Sequence, residues 1–211
     1  MTVSVLIAGL ASYLVGGIPF SYIAGRMARG IDLREHGSGN LGASNTYRIL
    51  GGKIALAVLV LDVAKGLVPV LVAGRFDTPG AAPLHALAAA AGAITGHLFS
   101  PYLRFSGGKG IATSAGSFAG LAPLAFAGAL AVFATVFAAR RIVSLASLSA
   151  AVALPLAVWL LARTGLAPSH ASVLWVTVLV MLAVIVKHRG NIRRLAAGTE
   201  PALSRRREEH S

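Results

Sequence analysis

The chain has 211 residues, of which 56% are hydrophobic and only 12% charged, with a net charge of +12 and no cysteine. Its mean hydropathy is +0.76. So little polar surface cannot cover a soluble fold of this length, which points to a single integral membrane domain over residues 1–200, followed by a basic, disordered tail over residues 201–211. The lack of cysteine excludes disulfides, thiolate nucleophiles and cysteine metal sites.

No Lys or Arg precedes the first apolar run, Val3 to Ala24, so that run reads as an uncleaved anchor and not as a signal peptide. A glycine-rich segment, His36 through Arg48, follows. Gly37, Gly39 and Gly42 match the spacing of a dinucleotide fingerprint, but no strand-loop-helix unit and no ribose carboxylate accompany them. A membrane-edge turn accounts for the glycines alone, whereas a phosphate site accounts for their neighbours too. Glycines let successive backbone N–H groups converge on an anion, Ser38, Asn40, Ser44, Asn45 and Thr46 add neutral donors, and Arg48 adds a bidentate fork.

The second run, Ile54 to Ala73, contains Asp62 and Lys65 at i and i+3, which favours a mutually neutralising structural pair over a proton relay. His85 and His97 lie near the ends of the third run, Leu84 to Phe99, and are expected to satisfy neighbouring groups, since no pair has zinc-site spacing. Next comes Ser106-Gly107-Gly108-Lys109-Gly110. Gly110 stands where a nucleotide-binding P-loop has its Ser or Thr, and the first glycine of that motif is missing. What remains is a lysine on a flexible glycine hinge, beyond what a simple positive-inside anchor requires.

The fourth run, Ile111 to Ala139, is 29 residues long, or about 44 Å as a helix, which is too short for two full crossings. A break is expected within Gly116 to Pro123, giving two short helices or a re-entrant hairpin. Arg140 and Arg141 precede the fifth run, Ile142 to Ala162; the sixth, Ala171 to Val186, is short like the third. Seven passes result, two of them short. Sixteen of the 19 Lys and Arg then fall on the cytoplasmic side if the amino terminus is outside and the carboxyl terminus inside. After the sixth run, a helix would set His188, Asn191 and Leu195 on one stripe and Arg189 and Arg193 on another. A basic helix on anionic lipid explains those arginines but not His188 or Asn191. From Glu200 onward the chain reads as solvated.

Together these segments resemble the bacterial membrane acyl-phosphate:glycerol-3-phosphate acyltransferases. The likeness runs through Gly17-Ile18-Pro19-Phe20, the segment from Gly37 to Arg48, Leu61-Asp62-Val63-Ala64-Lys65-Gly66, Gly96-His97-Leu98-Phe99, Gly107 to Thr113, Ser144-Leu145-Ala146-Ser147, and His188 to Leu195 with Gly198 and Glu200. Any one motif is weak, but their order and spacing are specific. Ser100, Ser106 and Ser44 depart from the usual proline, lysine and threonine.

The resemblance implies transfer of a fatty acyl group from acyl phosphate to the 1-hydroxyl of glycerol 3-phosphate, giving lysophosphatidate and phosphate at the cytoplasmic face of the bacterial plasma membrane. It implies an all-α fold of seven transmembrane helices. It also implies Ser38, Arg48, Lys109, His188 and Asn191 as catalytic residues, and Gly37, Gly39, Asn40, Gly42, Ser44, Arg48, Gly107, Gly108, Lys109 and Ser147 as binding substrate phosphate. No cofactor, metal, nucleic acid or obligatory protein partner is expected beside the two substrates and membrane lipid.

An acyl phosphate is already activated, so the enzyme has to orient a hydroxyl, stabilise an oxyanion and receive phosphate. The chain lacks His-x-x-x-x-Asp, the base pairing of other glycerol phosphate acyltransferases. That leaves His188 or the donor phosphate, whose second pKa is about 6, to take the proton. The phosphate is favoured, with His188 orienting the acceptor. An anion transporter is the rival from another class, but no internal repeat is visible; a lipid phosphatase would need a nucleophilic or metal cluster.

Overall fold

A computed structural model describes residues 2–167 and 170–203, so most of the expected tail lies outside the described residues. Among the described residues ten α-helices follow one another: α1 (Thr2–Gly17), α2 (Phe20–Arg29), α3 (Ala43–Leu50), α4 (Gly52–Gly74), α5 (Leu84–Leu98), α6 (Ile111–Leu121), α7 (Pro123–Arg140), α8 (Val143–Arg163), α9 (Ala171–Lys187) and α10 (Arg189–Ala196), with a 3-10 turn at Pro101–Leu103 between α5 and α6. Four stretches are long and apolar enough to cross a bilayer, namely Val3–Arg29, Gly52–Gly74, Pro123–Arg140 and Val143–Arg163; α9 with α10, bent by 63°, makes a fifth. The chain is an integral membrane protein whose regular elements, among the described residues, are all helical.

Its distribution of polarity suits lipid. Leu6, Leu10, Leu56, Val60, Leu124 and Leu179 are exposed on the outer surface, while Ser100, Thr113, Ser117 and Thr177 are sealed inside. Lipid tails offer no hydrophobic gain for burying Leu, so close backbone approach and hydrogen bonds join the helices instead. The contact of α1 with α5 shows how. A Cβ on Gly92 would run into the carbonyl oxygen of Gly9, one on Gly96 into that of Tyr13, and one on Gly16 into the backbone of Ala93.

The first apolar run is divided where the sequence suggested one anchor, because Pro19 cannot donate to the helical ladder. Freed carbonyls in the break find side-chain donors. Ser100 Oγ donates to Gly17 O at 2.6 Å and Lys65 Nζ to Ile18 O at 2.7 Å. Lys65 also pairs with Asp62 at 2.8 Å, both side chains being buried, so this pair serves the structural role expected of it. Ser100 thus acts as a cap.

The fourth run resolves into two helices, α6 and α7, meeting at Ala122 just before Pro123. Residues 43–50, read as part of a loop, form helix α3 instead, with Gly42 accepting from the amides of Asn45 and Thr46.

If backbone contact holds α1 to α5, Gly92→Ala should lower stability by about 1–3 kcal/mol, the usual cost of overpacking. Gly128→Ala, whose new methyl would meet only Ala157 Cβ at 3.8 Å, should not. Thermal unfolding in detergent measures both, and a wild-type midpoint for Gly92→Ala would contradict the packing account.

Candidate active site

Three segments distant in sequence meet at one end of the bundle. In the first, Gly37 (φ +63°) and Gly39 (φ +68°) adopt the left-handed backbone that favours glycine. Asn45, buried on α3, braces the turn: its Oδ1 accepts from Ser38 N at 2.9 Å, and its Nδ2 donates to Leu33 O at 3.1 Å and His36 O at 3.0 Å. Thr46 Oγ1 donates to Gly42 O at 3.1 Å and contacts Ser21 Oγ at 2.6 Å. Asn45 and Thr46, expected among the free donors, are therefore committed to holding the loop. Ser38 is exposed, and Asn40, Ser44 and Arg48 are half-buried. Before the loop, hydrogen bonds from Arg34, the closest at 2.6 Å, hold the Asp32 carboxyl below the usual carboxylate range despite its burial.

The second segment is not a hinge. Gly108 N donates to His97 O at 3.1 Å. A Cβ on Gly107 would strike the His97 carbonyl, and one on Gly108 would strike the Leu41 carbonyl of the first segment. These two glycines let three strips of backbone pack together, and Gly110 (φ +79°) then turns the chain into α6. Lys109 projects from a rigid support.

At the third segment, α9 bends into α10 at His188. His188 and Asn191 are buried there while Arg189 and Arg193 are exposed, as the two helical stripes required. Lys109 Nζ donates to Asn191 Oδ1. Asn191 Nδ2 donates to Glu200 Oε1 at 2.5 Å, Ser144 Oγ of α8 donates to the same oxygen at 2.6 Å, and Arg194 Nε donates to Glu200 Oε2 at 2.7 Å. Arg48 Nη2 reaches Pro201 O at 3.5 Å, and Leu203 N donates to Arg141 O at 2.8 Å.

Glu200, expected to open a solvated tail, is thus a buried hub with its side chain 5% exposed. Sequence reasoning chose Ser147 in place of Ser144. Ser147 is buried one turn further along α8, and among the described residues it makes no hydrogen bond to this network. Glu200 could have been found as one of the few carboxylates near the cation-rich end.

Charge at the site follows from burial. Desolvation, with the positive charges of Arg194 and Arg48 nearby, brings the Lys109 ammonium down to about 8 even though Glu200 opposes the shift. Burial and Lys109 bring His188 down to about 4. Its Nδ1–H donates to Val184 O at 2.8 Å, which leaves Nε2 with a free lone pair. Burial alone would raise Glu200, but the hydrogen bonds from Ser144, Asn191 and Arg194 outweigh it and hold the carboxyl low. Among the described residues no three His, Asp or Glu side chains converge as a metal site requires. The arrangement is suited to an anion: two cations and several donors lie at the edge of an apolar bundle, with one carboxylate fixing their geometry.

In Glu200→Gln the main charge supporting the Lys109 ammonium is gone, so the Lys109 pKa should fall below about 8. The pH dependence of its modification by an amine reagent gives the value, and an unchanged or raised pKa would contradict this electrostatic account.

Residues 6–198 match the family model described as glycerol-3-phosphate acyltransferase. Among similar proteins, the glycerol-3-phosphate acyltransferase of Desulforudis audaxviator is 48% identical over 203 residues, covering 96% of this chain and 97% of that protein. That of Geotalea daltonii is 42% identical over 201 residues, covering 95% and 97%. The crystal structure of PlsY (YgiH), an integral membrane glycerol 3-phosphate acyltransferase, in its glycerol 3-phosphate form, superposes with a TM-score of 0.85 at 32% identity, covering 95% of this chain and 96% of that one.

Proposed function

This chain belongs to the glycerol-3-phosphate acyltransferase family, and we propose that it transfers a fatty acyl group from acyl phosphate to the 1-hydroxyl of glycerol 3-phosphate, releasing lysophosphatidate and inorganic phosphate. The observation that carries this reading is the convergence of Arg48, Lys109, Asn191 and Glu200 from distant segments on one end of an apolar bundle. A phosphate carried on a lipid needs both halves of that arrangement. Counting the short α5 and α6 as passes gives seven, with the amino terminus outside and the site at the cytoplasmic face of the bacterial plasma membrane, in keeping with the basic residues that flank it. The transporter reading has no matching support, because Asp62 and Lys65 are engaged inside the bundle.

Arg48 and Lys109 bind the phosphate groups, and Ser38, Asn40 and Ser44, whose side chains are free of the loop's own bracing among the described residues, add donors. Asn191 holds Lys109 in place. His188, neutral and fixed by the Val184 carbonyl, accepts at Nε2 from the 2-hydroxyl of glycerol 3-phosphate and so orients the acceptor, leaving the 1-hydroxyl proton uncommitted. As the new ester C–O bond forms and the bond from the acyl carbon to the phosphate oxygen breaks, the 1-hydroxyl proton passes to the departing phosphate. A carbonyl partner, unlike a carboxylate, does little to stabilise an imidazolium, which favours the phosphate over His188 as base.

Supplying acyl phosphate, acyl-CoA and acyl carrier protein in parallel tests the donor. Product should form from acyl phosphate alone, and comparable turnover with acyl-CoA would overturn the assignment.

Arg48→Ala and Lys109→Ala should each lose at least about 2–3 kcal/mol of transition-state stabilisation in kcat/KM, with little recovery in Arg48→Lys. Lys109 carries its proton below about pH 8 and sheds it above, so glycerol 3-phosphate binding to the wild type should weaken as pH rises through that value. Calorimetric titration across pH 6 to about 10 reads this out, and pH-independent binding would remove Lys109 from the phosphate site.

His188→Gln keeps a hydrogen-bonding group but no base, so it should retain much more activity than His188→Ala. With His188 held to about 4, the wild-type rate profile should show no histidine limb near the ordinary value of about 6.5. Equal, near-complete loss in both variants would make His188 the base.

A further inference from the structure

At the opposite end of the bundle three residues outside the acyltransferase site form a connected array. Ser4 Oγ lies 3.0 Å from His85 Nε2, and His85 Nδ1 lies 2.9 Å from Asp77 Oδ1. The carboxylate is itself pinned at the start of α5, accepting from His85 N at 2.8 Å and from Ala86 N at 3.0 Å. A carboxylate oxygen can only accept, so Nδ1 carries the imidazole proton and Nε2 is left to accept from the Ser4 hydroxyl. That is the order of hydrogen bonds in a serine nucleophile, its base and the acid that orients the base. Capping α5 needs only Asp77; it does not need a serine brought from α1, 81 residues away, onto the far nitrogen of the ring.

Two further features complete the requirements for acyl transfer to serine. Ser4 lies in the first turn of α1, where backbone N–H groups have no intrahelical acceptor and the helix dipole is positive, an environment that favours a developing oxyanion. The array also opens on an apolar groove of about 440 Å³ between α1 and α4, lined by Ile7, Ala11, Val15, Val68, Val72 and Phe76. This volume is in the range of small-molecule pockets. Ser4 and His85 line the groove too, and it follows α1 as far as Val15. From Ser4 to Gly17, near the acyltransferase loops, is about 20 Å of helix, so the two sites are separate.

We propose that Ser4, His85 and Asp77 form a second catalytic site, an esterase that takes a carboxylic ester with one long acyl chain, the chain lying in the groove and the carbonyl at Ser4. Ser4 Oγ bonds to the ester carbon while His85 Nε2 takes the hydroxyl proton. The ester C–O bond breaks and the leaving alcohol receives that proton. Water then attacks the acyl-serine, giving one proton through His85 back to Ser4 Oγ, and the fatty acid departs.

The test uses the full chain in detergent micelles with a long-chain alkyl fluorophosphonate, which reacts with activated serines, followed by peptide mass mapping. The wild type should be labelled at Ser4. Labelling should fall at least tenfold in His85→Ala, and hydrolysis of a p-nitrophenyl ester with a long acyl chain should fall at least tenfold in Ser4→Ala, an exposed position whose substitution leaves glycerol 3-phosphate acylation unchanged. An unlabelled wild type, labelling at another serine, labelling undiminished in His85→Ala, or ester hydrolysis undiminished in Ser4→Ala would each overturn the proposal.

Discussion

The candidate site depends on one carboxylate. Glu200 accepts from Ser144 of α8, from Asn191 and Arg194 of α10, and through Asn191 it fixes Lys109 of the loop after α5. Without it, Lys109, Arg48 and Arg194 would be cations held near one another with only mutual repulsion. A carboxylate that accepts three hydrogen bonds can neutralise part of that repulsion and still leave the site net positive. The same bonds account for the bend at His188. The turn from α9 into α10 brings Asn191 and Glu200 back over the end of α8, and it leaves His188 buried beside Lys109 with only a carbonyl for its Nδ1–H.

The rigidity of the loops comes from the membrane-embedded part. Gly107 and Gly108 lie directly on the His97 and Leu41 carbonyls, so the position of Lys109 is inherited from the end of α5. α5 in turn is locked to α1 by Gly16, Gly92 and Gly96, and the break between α1 and α2 is closed by Lys65 and Ser100. Each contact leaves no room for a side-chain methyl or leaves a buried carbonyl dependent on one donor. A chain of such contacts can carry positional precision from the bilayer interior to the polar end.

Much of this was legible in the sequence. Apolar runs located the long helices because length and hydropathy are properties of the segment itself, and the break before Pro123 followed from the missing amide. The helical stripe of His188 and Asn191 likewise emerged from spacing alone. The misreadings have a common origin. Asn45, Thr46 and Gly108 were read as free donors and a flexible hinge because local composition does not reveal which backbone groups a residue will meet across the fold. Glu200 looked solvated because its partners Ser144 and Asn191 come from other elements, and α3 was hidden because its helix-forming residues are short polar ones that also suit turns.

If the three segments form one phosphate site, Lys109 and Asn191 act as a unit, and a double-mutant cycle on kcat/KM for glycerol 3-phosphate tests this most directly. The account predicts that Lys109→Ala with Asn191→Ala is little worse than the more damaging single variant, because either substitution already releases the lysine from its bound geometry. Losses that multiply in the double variant would contradict it, since the two side chains would then contribute independently.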